Sequence, residues 1–214
     1  MSDLLGNVLA ELGNSSAMEL CAVILAVAYL LLAVKQNIAC WYAAFVSTAL
    51  FLLIFWQHKL YMESGLQIYY LAMAVYGWYQ WKNNALTTQS KTRVSTWSLQ
   101  KHIVAISLIL VATLVSGSLL KDTDQRFPYL DSFTTWSAVV TTYMVTRKVL
   151  ENWLYWLVID GASIYLYLDR ELYFTALLFA AYLVIVCFGY YAWRLEYLRL
   201  NDAESSDVAA HTSS

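Results

Sequence analysis

Seven apolar runs alternate with polar stretches along the chain. They cover about Met18–Val34, Ile38–Trp56, Leu60–Trp81, His102–Leu120, Ser132–Thr146, Glu151–Leu168 and Leu172–Trp193. Each is close to the roughly 17–22 residues with which an α-helix crosses a hydrocarbon core of about 30 Å. The fifth can begin somewhat earlier. Two connections are long: KNNALTTQSKTRVSTWSLQK at 82–101, and KDTDQRFPYLD at 121–131, which holds the only proline. The pattern predicts an all-α polytopic membrane protein with seven transmembrane helices. Residues 1–17 form a short acidic N-terminal segment in which Leu4, Leu5, Val8, Leu9 and Leu12 recur at helical spacing. That suits a turn or two lying on a membrane surface. The segment has no basic region ahead of an apolar one, so the first span is expected to serve as its own insertion signal. Residues 194–214 are polar and read as a disordered cytoplasmic tail.

Composition agrees with this reading. Of the 214 residues, 60% are hydrophobic and only 13% charged, about half the charged fraction of a soluble domain. Many of the 17 Tyr and 9 Trp sit near the ends of the runs, as in an interfacial belt. A formal net charge of −2 gives no reason to expect nucleic acid. Nine of the 13 Lys and Arg (Lys35, Lys82, Lys91, Arg93, Lys101, Arg147, Lys148, Arg194 and Arg199) fall on one side of the threaded chain. Lys59, Lys121, Arg126 and Arg170 fall on the other. The positive-inside rule then places the N-terminus outside and the C-terminus in the cytoplasm.

The outer thirds of the chain resemble each other. NIACW at 37–41 matches NWLYW at 152–156, and 59–81 matches 171–193 at Tyr61/Tyr173, Tyr70/Tyr182, Gly77/Gly189, Tyr79/Tyr191 and Trp81/Trp193. The two matches differ in offset by about one helical turn. Residues 18–81 and 132–193 thus read as two three-helix repeats, with a linker helix at 102–120 between them. Three spans invert the chain and a fourth restores its direction, so the repeats run parallel. This is a 3+1+3 arrangement, SWEET-like in architecture.

Candidate chemistry gathers in the stretch RKVLENWLYWLVID, Arg147–Asp160. Asn152, Trp156 and Asp160 are spaced i, i+4, i+8 and share one helix face. A carboxylate at mid-span is costly unless it meets a partner, a cavity or a ligand. An amide, an indole and a carboxylate in line suit a small planar cation. On this alignment Asp160 corresponds to Phe45, so the acid belongs to one repeat only. Gln67 shares a face with Tyr70, Ala74, Trp78 and Trp81, and can offer both a donor and an acceptor to a heterocycle. Asn37 and Trp41 repeat the Asn152/Trp156 spacing. Trp41, Trp78 and Trp156 are candidates for stacking on substrate rings, while Gln67, Asn37 and Asn152 are candidates for bonding heteroatoms. A purely structural use of the buried amides and of Asp160, as links between helices, stays open.

Enzyme signatures are missing. There is no HExxH, GxSxG or phosphate-binding glycine loop. His58, His102 and His211 lie in loops, at a helix end or in the tail, and Cys21, Cys40 and Cys187 sit singly in apolar runs. No metal or cofactor is expected.

YGWYQW (Tyr76–Trp81), TRK (Thr146–Lys148) and ENWLYW (Glu151–Trp156) resemble the signature stretches of the Pnu family of vitamin transporters. The resemblance spans roughly residues 18–195. It implies a bacterial inner-membrane protein with one vitamin site between the triplets, working by facilitated diffusion. It further implies a cytoplasmic kinase that traps the vitamin by phosphorylation, and it makes a homo-oligomer plausible. One position departs from the pattern: where the nicotinamide riboside branch has Asn, this chain has Asp160. An acceptor-only group suits an aminopyrimidine NH₂ or a cationic thiazolium, so thiamine is the expected substrate, with nicotinamide riboside the alternative. A SWEET-like sugar transporter and a non-transporting membrane receptor are the readings from other classes.

Overall fold

The computed structural model describes residues 16–57, 61–87, 93–123, 127–170 and 172–212. They form seven helices: α1 (Ala17–Val34), α2 (Cys40–Gln57), α3 (Tyr61–Thr87), α4 (Leu99–Leu120), α5 (Pro128–Thr146), α6 (Asn152–Asp169) and α7 (Tyr173–Thr212). The chemistry of the helix starts is local. Ser16 and Glu19 close a capping box on α1, which satisfies two free N–H groups. Pro128 opens α5, where its fixed φ fits and its missing N–H costs nothing. Before α2, the Asn37 side chain accepts a hydrogen bond from the Ala39 N–H at 2.9 Å.

Several boundaries differ from the sequence expectation. α3 continues past Trp81 to Thr87, and α4 already begins at Leu99, so the polar 82–101 stretch is partly helical. The largest difference is at the C-terminus. The expected disordered tail is helical, because α7 runs on from Trp193 to Thr212. No proline or glycine interrupts RLEYLRLNDAESSDVAAH, and Arg, Leu, Glu and Ala favour a helix. The Arg93 guanidinium donates to the Leu200 carbonyl at 2.9 Å and holds this extension from the side. The N-terminal amphipathic stretch lies outside the described residues, apart from its junction with α1.

The contacts between helices close a ring. α1 packs on α2, α2 on α3, α3 on α5, α5 on α6, α6 on α7, and α7 back on α1; α4 packs on α5 outside the ring, and its His102 reaches Tyr155 of α6. α1, α2, α4 and, within α7, Thr175–Asp202 are each long and apolar enough to cross a membrane by themselves. α3, α5 and α6 are more polar, and much of that polarity is turned inward. Ser64 on α3, Ser132, Ser137, Thr141, Thr142 and Thr146 on α5, and Asn152, Asp160 and Ser163 on α6 are all buried. Thr141 and Thr142 donate to the carbonyls one turn back, at 2.7 and 2.8 Å, so these hydroxyls are satisfied inside their own helix. The outer surface is apolar instead: Ile103, Ile106, Leu110, Val111 and Leu114 on α4, and Leu177, Val184 and Phe188 on α7, are exposed. A surface of this kind is suited to lipid.

Structural details recur at one constant spacing. Gln36 and Lys148, which are 112 residues apart and hydrogen-bonded to each other, both adopt the left-handed region just after a helix end, with φ 52° and 49°. A Cβ on Gly77 would run into the Trp41 indole, and a Cβ on Gly189 into the Trp153 indole. Trp41 meets Trp81 edge-on at 5.3 Å and 86°, and Trp153 meets Trp193 at 5.3 Å and 88°. The same spacing therefore serves all three helices of each triplet. The sequence alignment of Asn37/Trp41 with Asn152/Trp156 is one turn out of step. By packing, the counterpart of Trp41 is Trp153, and that of Asp160 is Thr48 rather than Phe45.

The candidate site inside the helix ring

The ring encloses a cavity of about 260 Å³, and each of its six helices supplies part of the wall. α1 contributes Ala26, Tyr29 and Leu30, and α2 contributes Trp41, Ala44, Ser47, Thr48 and Phe51. Tyr70 and Ala74 come from α3, Thr142 from α5, Trp156 and Asp160 from α6, and Phe179, Tyr182 and Val186 from α7. α4 contributes nothing. The wall is largely aromatic and aliphatic with few polar groups, the usual make-up of a small-molecule site.

Some of those polar groups are already engaged. Ser47 donates to the Ala22 carbonyl at 2.7 Å, and Thr142 to Ala138. Asp160 is different. It is 3% exposed, it lines the cavity, and its carboxylate has no hydrogen bond or ion pair among the described residues. A charged carboxylate at a helix centre in a bilayer costs on the order of 3 kcal/mol by insertion scales. Here that cost is not offset from within the fold. Tyr182 lies within electrostatic reach of Asp160 and, with Tyr29 and Tyr70, can supply phenol groups to the same space.

One end of the ring is shut by tryptophan. Trp41, Trp81, Trp193 and Trp153 form a row, with the central pair 6.3 Å apart and tilted at 55°, and all four are buried. Trp193 Nε1 donates to the Ala33 carbonyl at 3.1 Å, linking α7 to α1. The Lys148 ammonium lies 4.5 Å above the Trp81 ring and donates to Gln36 at 3.0 Å. Trp41 belongs both to this row and to the cavity wall, so it forms part of the floor.

Of the residues singled out from sequence, Trp41, Trp156 and Asp160 come together at the cavity. The other four are not among its lining residues. Asn152 is fully buried, and its side-chain amide donates to the Val149 carbonyl at 2.6 Å, which fixes the entry to α6. Asn37 is exposed at the start of α2. Trp78 donates to the Tyr42 hydroxyl at 2.9 Å and carries Lys82 over its ring at 4.6 Å. Gln67 is half-buried on α3, one turn before Tyr70. The structure adds Tyr29, Thr48, Phe51, Phe179 and Tyr182 to the wall, and Tyr70 moves from neighbour of a candidate to wall residue. Tyr70 and Tyr182 carried a signal in the repeat, being matched tyrosines on matched helices. Tyr29 and Thr48 carried none.

Comparison with known proteins gives this site a setting. A family model described as "Nicotinamide mononucleotide transporter" matches residues 16–195. The nicotinamide riboside transporter PnuC of Escherichia coli (strain K12) is 25% identical over 187 residues, covering 76% of this chain and 78% of that one. The riboflavin/roseoflavin transporter RibM of Streptomyces davaonensis is 26% identical over 178 residues, covering 80% and 82%. A crystal structure of the vitamin B3 transporter PnuC superposes with a TM-score of 0.70 at 20% identity, covering 92% of this chain and 90% of the other. These relatives are transporters and not enzymes. With a family match across nearly all of the ring, the chain belongs to the nicotinamide mononucleotide transporter family of membrane proteins.

Proposed function

We propose that this protein carries nicotinamide riboside across the bacterial inner membrane by facilitated diffusion, through the cavity at the centre of the ring. The observation that carries the reading of a cationic substrate is the buried carboxylate of Asp160, which has no hydrogen bond or ion pair among the described residues and lies in an aromatic pocket. A pyridinium cation would neutralise it, stack on Trp156, and meet the phenols of Tyr70 and Tyr182. Relatives named for nicotinamide riboside support this substrate over thiamine, toward which Asp160 alone had pointed. Thiamine is the second reading, because its thiazolium and aminopyrimidine NH₂ suit the same carboxylate. Riboflavin, the substrate named for one relative, is uncharged and leaves Asp160 without a counter-ion.

In the proposed architecture α1–α3 and α5–α7 are parallel triplets joined by α4, in the 3+1+3 manner, and they rock about the cavity. The basic residues support an outside N-terminus and a cytoplasmic C-terminus. A cytoplasmic vitamin kinase would trap the product. The test is uptake of labelled nicotinamide riboside into proteoliposomes, with thiamine and riboflavin as competitors, for wild type and Asp160→Leu. Saturable uptake that riboflavin does not inhibit and that falls sharply in the variant is the expected result. Stronger inhibition by thiamine than by unlabelled substrate would move the assignment to thiamine. Uptake unchanged in the variant would remove Asp160 from recognition.

A further inference from the structure

α4 leans on α5 and makes no packing contact with α3 among the described residues, which leaves a groove of about 870 Å³ between α3, α4 and α5. The groove is amphipathic along its length. At one end it is lined by Thr96, Trp97, Gln100, Lys101 and Arg147, and deeper by Met73, Val104, Leu108, Val139 and Val140. From Lys101 to Leu108 on α4, and from Arg147 to Val139 on α5, the apolar part runs about 10–12 Å at a rise of ~1.5 Å per residue. Lys101 and Arg147 are both exposed, and neither side chain has an ion pair or hydrogen bond among the described residues.

The groove on the other flank of α4 shows the contrast. It measures about 500 Å³ and is lined by His102, Glu151 and Tyr155 at the corresponding end. There the polar groups answer one another: His102 Nδ1 and the Tyr155 hydroxyl are 2.9 Å apart, and Glu151 lies 3.9 Å from His102 Nε2. The lining of the 870 Å³ groove instead has two cations and no carboxylate, above an apolar slot; the adjoining acid, Glu151, is engaged by His102 and by the Trp97 N–H at 3.3 Å.

We propose that this groove is a binding site for an anionic phospholipid. The phosphate and headgroup lie against Lys101, Arg147 and Gln100, with Trp97 at the interface, and an acyl chain lies along Val104, Leu108 and Val139. Basic pockets between helices at the cytoplasmic surface are suited to such headgroups, and the proposed orientation puts this end there. A bound lipid would fill the gap between α4 and α3 and so steady the helix that joins the two triplets.

The test is native mass spectrometry of the full-length protein released from mixed micelles with phosphatidylglycerol or phosphatidylcholine. The variants are Lys101→Gln/Arg147→Gln and Val104→Trp, which fills the slot and leaves both cations. A matched control, Lys35→Gln/Arg199→Gln, removes two exposed cations elsewhere, and a monodisperse profile checks folding. Wild type and control are expected to retain phosphatidylglycerol at least about tenfold better than phosphatidylcholine, and both groove variants to lose that preference. Equal retention of the two lipids by wild type, or retention of the preference in both groove variants, overturns the proposal. So does a change of oligomeric state in the groove variants without loss of lipid, which would make the cleft a contact between copies.

Discussion

The first triplet, α1–α3, and the second, α5–α7, are alike where they pack and unlike where they face the cavity. The shared part is a tryptophan laid over a glycine and edge-on to a second tryptophan, together with a left-handed residue after the first helix of each triplet. The cavity wall keeps one clear match, Tyr70 with Tyr182. Elsewhere Thr48 stands where the second triplet has Asp160, and Ala44 where it has Trp156. A symmetric scaffold can shape a central cavity, but a small unsymmetric molecule has to be read by groups that break the symmetry. In this protein the second triplet carries the charge and the larger ring.

Four substitutions separate scaffold from reader. The largest effect is expected for Trp153→Ala, which removes a buried indole from the packing of Gly189 and Trp193. Equilibrium unfolding in micelles should show a loss of about 3–5 kcal/mol. Trp156→Ala, one turn away, should cost far less stability and weaken substrate binding instead. Equal stability losses at the two positions would mean that both indoles belong to the scaffold. Next comes Asp160→Thr, which makes the second triplet like the first at this position. Leaving a cationic substrate without its buried partner should weaken binding by about 2–4 kcal/mol, or ~30- to 1000-fold, in calorimetric titration. Placing the acid across the cavity in Thr48→Asp/Asp160→Thr should recover only part of it. Full recovery would mean that either triplet can read the substrate.

Gly77→Ala and Gly189→Ala each push a methyl into an indole and should cost about 1–3 kcal/mol of stability. The two losses should agree closely, and a large disparity would show that the triplets are held differently. The smallest effects belong to the matched tyrosines. Tyr70→Phe and Tyr182→Phe remove one hydroxyl each, worth about 0.5–1.5 kcal/mol in binding. Tyr182→Phe is expected to be the larger because that side chain lies nearer Asp160.

Seven helices were legible because bilayer thickness sets the length of the apolar runs. Asp160 was legible because a carboxylate in such a run needs a reason. The register of the repeat was not. Trp153 and Trp156 are one turn apart on nearly the same face, and only packing reveals that the first lies over Gly189 while the second reaches the cavity. The identity of Asn37 with Asn152 reinforced the wrong pairing, although both residues work at helix entries. Trp78 was misleading for a related reason. Of its face of α3, Tyr70 and Ala74 line the cavity, whereas the Trp78 ring is engaged by Tyr42 and Lys82, contacts that helical spacing does not reveal. The C-terminal helix was hidden by its polarity, which in a helix that leaves the membrane does not imply disorder.

The row of tryptophans has a practical consequence. Four of the nine indoles in the chain stand in a row at the shut end of the ring, the outer pairs edge to face and the central pair tilted. For a substrate to leave on that side, rings from the two triplets must separate and meet water. The groups that bar the way are thus the chain's strongest intrinsic chromophores, and each passage would be written into its ultraviolet emission without any attached label.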